Sequence, residues 1–142
     1  MAPSGINILI VEDNLSHQKI TEYALRRSKV ACSLHVVHDG QEVLDYLFRE
    51  NGFEDESRFP PPDLILLDLN LPKRDGREVL KVIKADEHLK EIPIVIVSTS
   101  DREEDMNFAF QVGAVAYISK SSGFDKYNEQ LADVHKYARA KP

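Results

Sequence analysis

A single cysteine, Cys32, stands in 142 residues, so no disulfide can form within the chain and packing alone must hold the fold together. No apolar run approaches the roughly 18 residues that a membrane span requires. The N-terminus, MAPSGINILI, lacks the basic segment followed by a long apolar stretch that marks an export signal. Positive charge is also short. Against 24 Asp and Glu there are 18 Lys and Arg, a formal net charge of -6, which disfavours nonspecific attraction to nucleic acid or to an anionic membrane. There is no internal repeat, and no low-complexity tract beyond Pro60-Pro61-Pro62. These absences predict a cytoplasmic protein of one domain, residues 1–142, that works through protein partners and is folded except at its ends.

Short apolar runs are plentiful. INILIV, SLHVV, DLILLDL, IPIVIV and AVAYIS are rich in Ile, Val and Leu and too short for helices, so they read as strands. Helical periods lie between them. Ile20, Tyr23, Ala24 and Arg27 share one face, with Arg27 lying along it by its aliphatic stem. Val43, Leu44, Leu47 and Phe48 form a second stripe, and Val79, Leu80 and Ile83 a third. Met106, Ala109 and Phe110 mark a fourth helix that Gly113 ends, and Tyr127, Leu131, Val134 and Ala138 a fifth. Strand then helix, five times over, predicts an α/β fold with a five-stranded parallel sheet and helices on both faces. The flavodoxin-like (βα)5 doubly wound arrangement, strand order 2-1-3-4-5, is the economical choice, and it places ligands beyond the carboxyl ends of the strands.

Those ends carry the chemistry. Glu12 and Asp13 follow the first strand, Asp68 the third, Ser98 and Thr99 the fourth, and Lys120 the fifth. Three carboxylates brought together repel one another unless a cation sits among them. Mg2+ suits such a place, because it takes a few carboxylate or carbonyl oxygens, keeps water ligands and accepts phosphate oxygens. A carboxylate can itself be the nucleophile of aspartyl-phosphate chemistry. In that role Asp68 attacks a phosphoryl group while Mg2+ and the Lys120 ammonium neutralise its oxygens and Ser98 donates a hydrogen bond. After Asp68, Pro72 and Asp75-Gly76 supply a turn into the next helix, which brings the Asn70 carbonyl towards the cation.

Taken together, VEDN, LLDLNLPKRDG, IVST and GAVAYISK resemble the receiver domain of two-component response regulators, and the resemblance runs from about Asn7 to Ala138. It implies that Asp68 accepts phosphate from a histidine kinase. It also implies that Asp13, Asp68 and the Asn70 backbone carbonyl bind Mg2+, with Glu12 acting through water. Ser98 and Lys120 then contact the phosphoryl group, and Tyr117 changes orientation as Ser98 is drawn inward. Ser98 lies five residues after Pro93 and 22 before Lys120, the spacing of the family's switch hydroxyl, and Thr99 takes the small-residue position after it. Receivers of this kind often pair through the face near the fourth and fifth helices, so a homodimer is expected.

Two departures from the family pattern stand out. Ser121 follows Lys120 where the family usually has proline, often in a cis bond; without proline a cis bond costs about 2.5–4 kcal/mol. The long polar segment from Arg49 to Pro62 is the second. With LPKRDGREVL and the Lys-Ser pair, it is similar to the stand-alone regulators that accompany bacterial and cyanobacterial phytochromes. The segment itself reads as a solvated connector or as a partner-binding flap. No effector domain is expected after the fifth helix, so output runs through protein contacts.

Other readings remain open on the residues alone. A Mg2+-dependent phosphohydrolase of the haloacid dehalogenase type also uses a strand-end aspartate, but needs a second acid two residues on, where this chain has Asn70. A degenerate receiver would serve binding only. A flavin carrier would need a phosphate cradle after the first strand, where EDNLS presents two acids instead. His35 and His38 point to opposite faces of a strand and make no metal pair. His17, His88 and His135 read as polar surface, and Arg102-Glu103-Glu104-Asp105 as solvated helix.

Overall fold

A computed structural model describes residues 5–28 and 30–139 of the chain; the expected unfolded ends and the outermost residues of the 1–142 domain lie outside these. Five strands, β1 (Ile6–Val11), β2 (Cys32–Val37), β3 (Leu64–Leu67), β4 (Ile94–Ser98) and β5 (Ala116–Ser119), alternate with α1 (Leu15–Arg27), α2 (Gly40–Phe48), α3 (Gly76–Ala85), α4 (Glu103–Val112) and α5 (Phe124–Ala132). All pairings are parallel, and the sheet runs β2-β1-β3-β4-β5. This is the flavodoxin-like order expected from the strand–helix alternation.

The strands read as unbroken apolar runs because both faces of the sheet are covered. Leu9, Val11, Ile65, Leu67, Ile94 and Ile96 pack on the α2, α3 and α4 side. Their neighbours Ile8, Ile10, Leu64, Leu66, Val95 and Val97 pack on the α1 and α5 side, as the two-residue alternation of a strand requires. Side-chain caps start three of the helices: Asn14, Asp39 and Asp75 accept backbone N–H groups of His17, Glu42 and Arg77 at 3.0, 2.7 and 3.0 Å.

Phe48 on α2 and Phe110 on α4, placed in apolar stripes by their spacing, stand 40% and 49% exposed, and α1 and α5 differ from the sequence pattern as well. On α1 the buried face is Thr21, Ala24 and Leu25; Tyr23 is 63% exposed, and the Arg27 guanidinium lies over its ring at 5.6 Å rather than along the core. The apolar spacing was satisfied by a cation–π pair on the surface. α5 ends at Ala132, and a 3-10 turn, Val134–Tyr137, follows. The tighter turn keeps Val134 fully buried while bringing the Arg139 N–H onto the Asp63 carbonyl at 3.0 Å, which ties the stretch after the turn to the start of β3.

The segment from Arg49 to Pro62 folds back on α2. Tyr46, Phe53 and Phe59 form a three-ring cluster, with centroids 4.8–5.8 Å apart. Arg49, left-handed at φ 61° where α2 ends, donates to the carbonyls of Phe53 and Phe59. The Tyr46 hydroxyl, its pKa pushed up to about 12 by burial, donates to the Pro60 carbonyl at 2.8 Å. A polar segment is thus held by its few aromatic residues and one arginine. Tyr46→Phe keeps the ring and leaves that carbonyl without its donor; a loss of about 1–2 kcal/mol in unfolding free energy is expected by urea titration, and an unchanged midpoint would mean the hydroxyl contributes nothing.

Candidate functional site

The parallel sheet delivers four strand ends to one edge. Glu12 and Asp13 leave β1, Asp68 leaves β3, Ser98 closes β4 and Lys120 follows β5. Glu12 and Asp68 are buried, at 4% and 6% exposure, and Asp13 is exposed. Ser98 is fully buried and Thr99 exposed.

Lys120 joins the ends. Its side chain is 3% exposed, and its ammonium donates to Glu12 Oε1 and to Asp68 Oδ2, the latter at 2.9 Å. The third proton points at His17 Nδ1, 3.0 Å away, so all three donors of the ammonium are used. A donating ammonium requires an unprotonated Nδ1, and burial together with the Lys120 charge lowers the His17 pKa. Burial works to lower the Lys120 pKa, but the charges of Asp68 and Glu12 and the hydrogen bonds to both together hold the ammonium above its ordinary value. Burial, helped by the neighbouring Asp68 charge, raises the Glu12 carboxyl above its ordinary value against the pull of Lys120.

The turn after β3 is shaped around Asp68. The Asn70 N–H donates to Asp68 Oδ1 at 2.9 Å, and Gly76 N–H to the Leu69 carbonyl at 2.9 Å. A Cβ on Gly76 would lie 2.1 Å from the Asp68 carbonyl oxygen, so only glycine lets α3 start this close to the acid. Among the described residues, ligand oxygens of Glu12, Asp13 and Asp68 lie within 4.8 Å of one another. Three carboxylates with one side open to solvent fit a hard divalent cation that keeps water ligands.

On the β4–β5 side, the Tyr117 hydroxyl donates to the Ser100 carbonyl at 2.8 Å, and the Ser100 N–H to Ser98 Oγ at 3.2 Å. No described peptide bond is cis. In place of the usual proline, Ser121 donates its N–H to Ser119 Oγ and its hydroxyl to the Thr99 carbonyl, at 3.1 and 2.6 Å.

Sequence reasoning missed three residues here. His17, which reads as polar surface in the sequence, lies in the first turn of α1 directly after the acids and meets Lys120 there. Asp105, read as solvated helix, is 7% exposed, and Arg77 reaches it from α3. Ser100 gave no signal beyond lying two residues after Ser98. His35 and His38 form no metal pair: His35 Nε2 is buried without a partner, while exposed His38 bonds Gln18 at 3.2 Å.

A carboxylate at a strand end, flanked by an ammonium and two further carboxylates on a parallel sheet of this order, fits the class of signalling receiver proteins. A family model described as the response regulator receiver domain matches residues 8–132. The chain belongs to that family, whose members take a phosphoryl group in signalling and work with histidine kinases. Its sequence is similar to response regulator Rcp1 of Synechocystis sp. PCC 6803, 39% identical over 114 residues, 80% of this chain and 76% of that protein. The crystal structure of the phosphorylated cyanobacterial phytochrome response regulator RcpA is similar at a TM-score of 0.86 and 38% identity, covering 95% of this chain and 94% of that one. The Mn2+-bound form of Rcp1 follows at 0.84 and 33%, with 93% of each chain covered.

Replacing Lys120 by methionine leaves Glu12 and Asp68 facing each other, buried and without their cation. The Glu12 pKa is expected to rise further, as read by 13C carboxyl NMR titration. Between the unfolded and folded values the folded state then holds a proton that the unfolded state releases, so the variant's stability rises as pH falls through that window. Urea unfolding that is no more stable near pH 5 than near pH 7 would show that the ammonium does not govern the carboxylates.

Proposed function

We propose that Asp68 is the phosphoacceptor, taking its phosphoryl group from a histidine kinase of the phytochrome type and signalling through a rearrangement around Ser98 and Tyr117. The observation that carries this reading is the buried Lys120 ammonium bridging Glu12 and Asp68, with the Asp13 carboxylate beside them. Such an arrangement stabilises charge developing on a phosphoryl group next to Asp68. Asp13, Asp68 and the Asn70 backbone carbonyl would hold Mg2+, with Glu12 acting through water. Bound there, Mg2+ supplies charge neutralisation for the phosphoryl oxygens.

In the transfer step an Asp68 carboxylate oxygen forms a bond to phosphorus as the bond from phosphorus to the kinase imidazole nitrogen breaks. The nitrogen keeps the electron pair. Lys120 shifts one of its three donors to a phosphoryl oxygen, and Ser98 donates from the β4 end, where Thr99 follows it. The likeness to RcpA, a phytochrome response regulator, supports a phytochrome kinase as donor, and the reading takes the cytoplasm as the place of work. Asn70, two residues after Asp68, cannot shuttle a proton as a second carboxyl group does; this favours a phosphoacceptor over a turnover phosphohydrolase. Residues 1–142 then act as one receiver unit.

The test is the intact mass after incubation with a small-molecule phosphodonor, with and without Mg2+, on the native protein and on Asp68→Asn. One added phosphoryl group that requires both Mg2+ and Asp68 is expected. An adduct on Asp68→Asn would move the acceptor elsewhere, and no adduct even from a cognate kinase would leave a receiver that only binds.

The same reading includes a homodimer through the α4–α5 side, where Phe110 and Val115 stand 49% and 45% exposed. Light scattering should then show a mass that rises with concentration in the unmodified or the phosphorylated form. A constant monomer mass in both would remove the dimer.

A further inference from the structure

A hydrogen-bonded chain leaves the phosphoryl site through Ser100, and every polar group of that serine is engaged. Its carbonyl accepts from the Tyr117 hydroxyl at 2.8 Å, and its N–H donates to Ser98 Oγ at 3.2 Å. Its hydroxyl donates to Asp105 Oδ2 at 2.6 Å and accepts the Arg102 N–H at 3.3 Å. Asp105 spends its other oxygen on α3, where Arg77 Nε and Nη2 reach Oδ1 at 3.1 and 3.0 Å.

A carboxylate in the first turn of a helix is ordinarily solvated. Asp105 is buried instead, and a buried charge persists where it is paired and hydrogen-bonded. Its two oxygens hold two different elements: the loop after β4 and the helix that starts beside Asp68. Arg102 caps α4 with no side-chain hydrogen bond, and the Ser100 hydroxyl accepts the N–H of Arg102 itself, just before the helix begins. With this clamp formed, the direction of the Ser100 carbonyl is set, and that carbonyl is what Tyr117 bonds to.

We infer that the Arg77–Asp105 pair, acting through Ser100, positions the acceptor for Tyr117 and thereby sets how readily Tyr117 takes its inward place. The inference rests on the reading of Ser98 and Tyr117 as the switch pair. Asp105 and Arg77 are positioning residues, since neither touches Asp68. The coupling also has a physical return path. Arg77 follows Gly76, whose backbone lies against Asp68, so the acceptor turn and the Tyr117 acceptor are anchored to the same end of α3.

The experiment labels the five tyrosines with 3-fluorotyrosine and identifies the Tyr117 19F signal by its loss in Tyr117→Phe. Native protein, Asp105→Asn, Ser100→Ala and the double variant Arg77→Met with Asp105→Asn are compared, first unmodified and then titrated with beryllofluoride in Mg2+. Asp105→Asn and Ser100→Ala should each move the Tyr117 signal towards a second position and raise the beryllofluoride concentration for half conversion by about tenfold, the effect of losing one charge-assisted hydrogen bond. The double variant should go no further than Asp105→Asn, because the two residues act as one clamp.

An unmoved Tyr117 signal and a midpoint within about twofold of native in a folded Asp105→Asn would overturn the proposal. If Asp105→Asn fails to fold, Ser100→Ala decides by the same criteria. If native protein takes up no beryllofluoride, the phosphoacceptor reading fails, and the Tyr117 signal of the unmodified proteins still decides the positioning.

Discussion

The buried contact of Lys120 with Glu12 and Asp68 is the interaction on which the remaining architecture depends. Three side chains from β1, β3 and β5 meet only if the sheet is parallel, in the order found, and in register to within a residue. An ammonium and two carboxylates held out of water are costly unless each is matched, so small errors in strand placement would be felt as unpaired charge. The apolar interior supplies that accuracy. Ile8 to Val11 and Leu64 to Leu67 pair strand to strand and are at most 2% exposed, leaving little room for the ends to shift.

Much of this was legible in the sequence, for a definite reason. Strands buried on both faces announce themselves as apolar runs, and an acid or a lysine closing such a run can only lie at the rim. Asp68, Glu12, Ser98 and Lys120 were therefore placed by strand logic before any geometry was known. The helices were less legible where the surface mimics the core. Tyr23 and Arg27 have core spacing on α1 yet pair with each other in solvent, and Val134 keeps the stripe of α5 while the backbone changes to a 3-10 turn.

The polar contacts around the rim were the least legible, because they join residues far apart in the chain. His17 meets Lys120 across 103 positions and Arg77 meets Asp105 across 28. Neither pair leaves a local pattern. Asp105 sits among Arg102, Glu103 and Glu104 and is indistinguishable from them by composition; what separates it is the rotation of α4, which turns that one acid inward against α3. Ser121 is similar. Its departure from the family's proline was visible, but its two hydrogen bonds, one of them to the Thr99 carbonyl, were not.

The aromatic cluster of Tyr46, Phe53 and Phe59 lies at the amino-terminal side of the sheet, at the pole opposite the chemistry. It closes the segment from Arg49 to Pro62 on itself and on α2, with none of the site residues among its partners. The two poles are therefore under different physical restraint. One tolerates almost no change without unbalancing a buried charge, while the other can lengthen, shorten or change its outer face as long as three rings stay together. A change to the outer face of this pole would leave the balance of buried charge at the opposite one untouched.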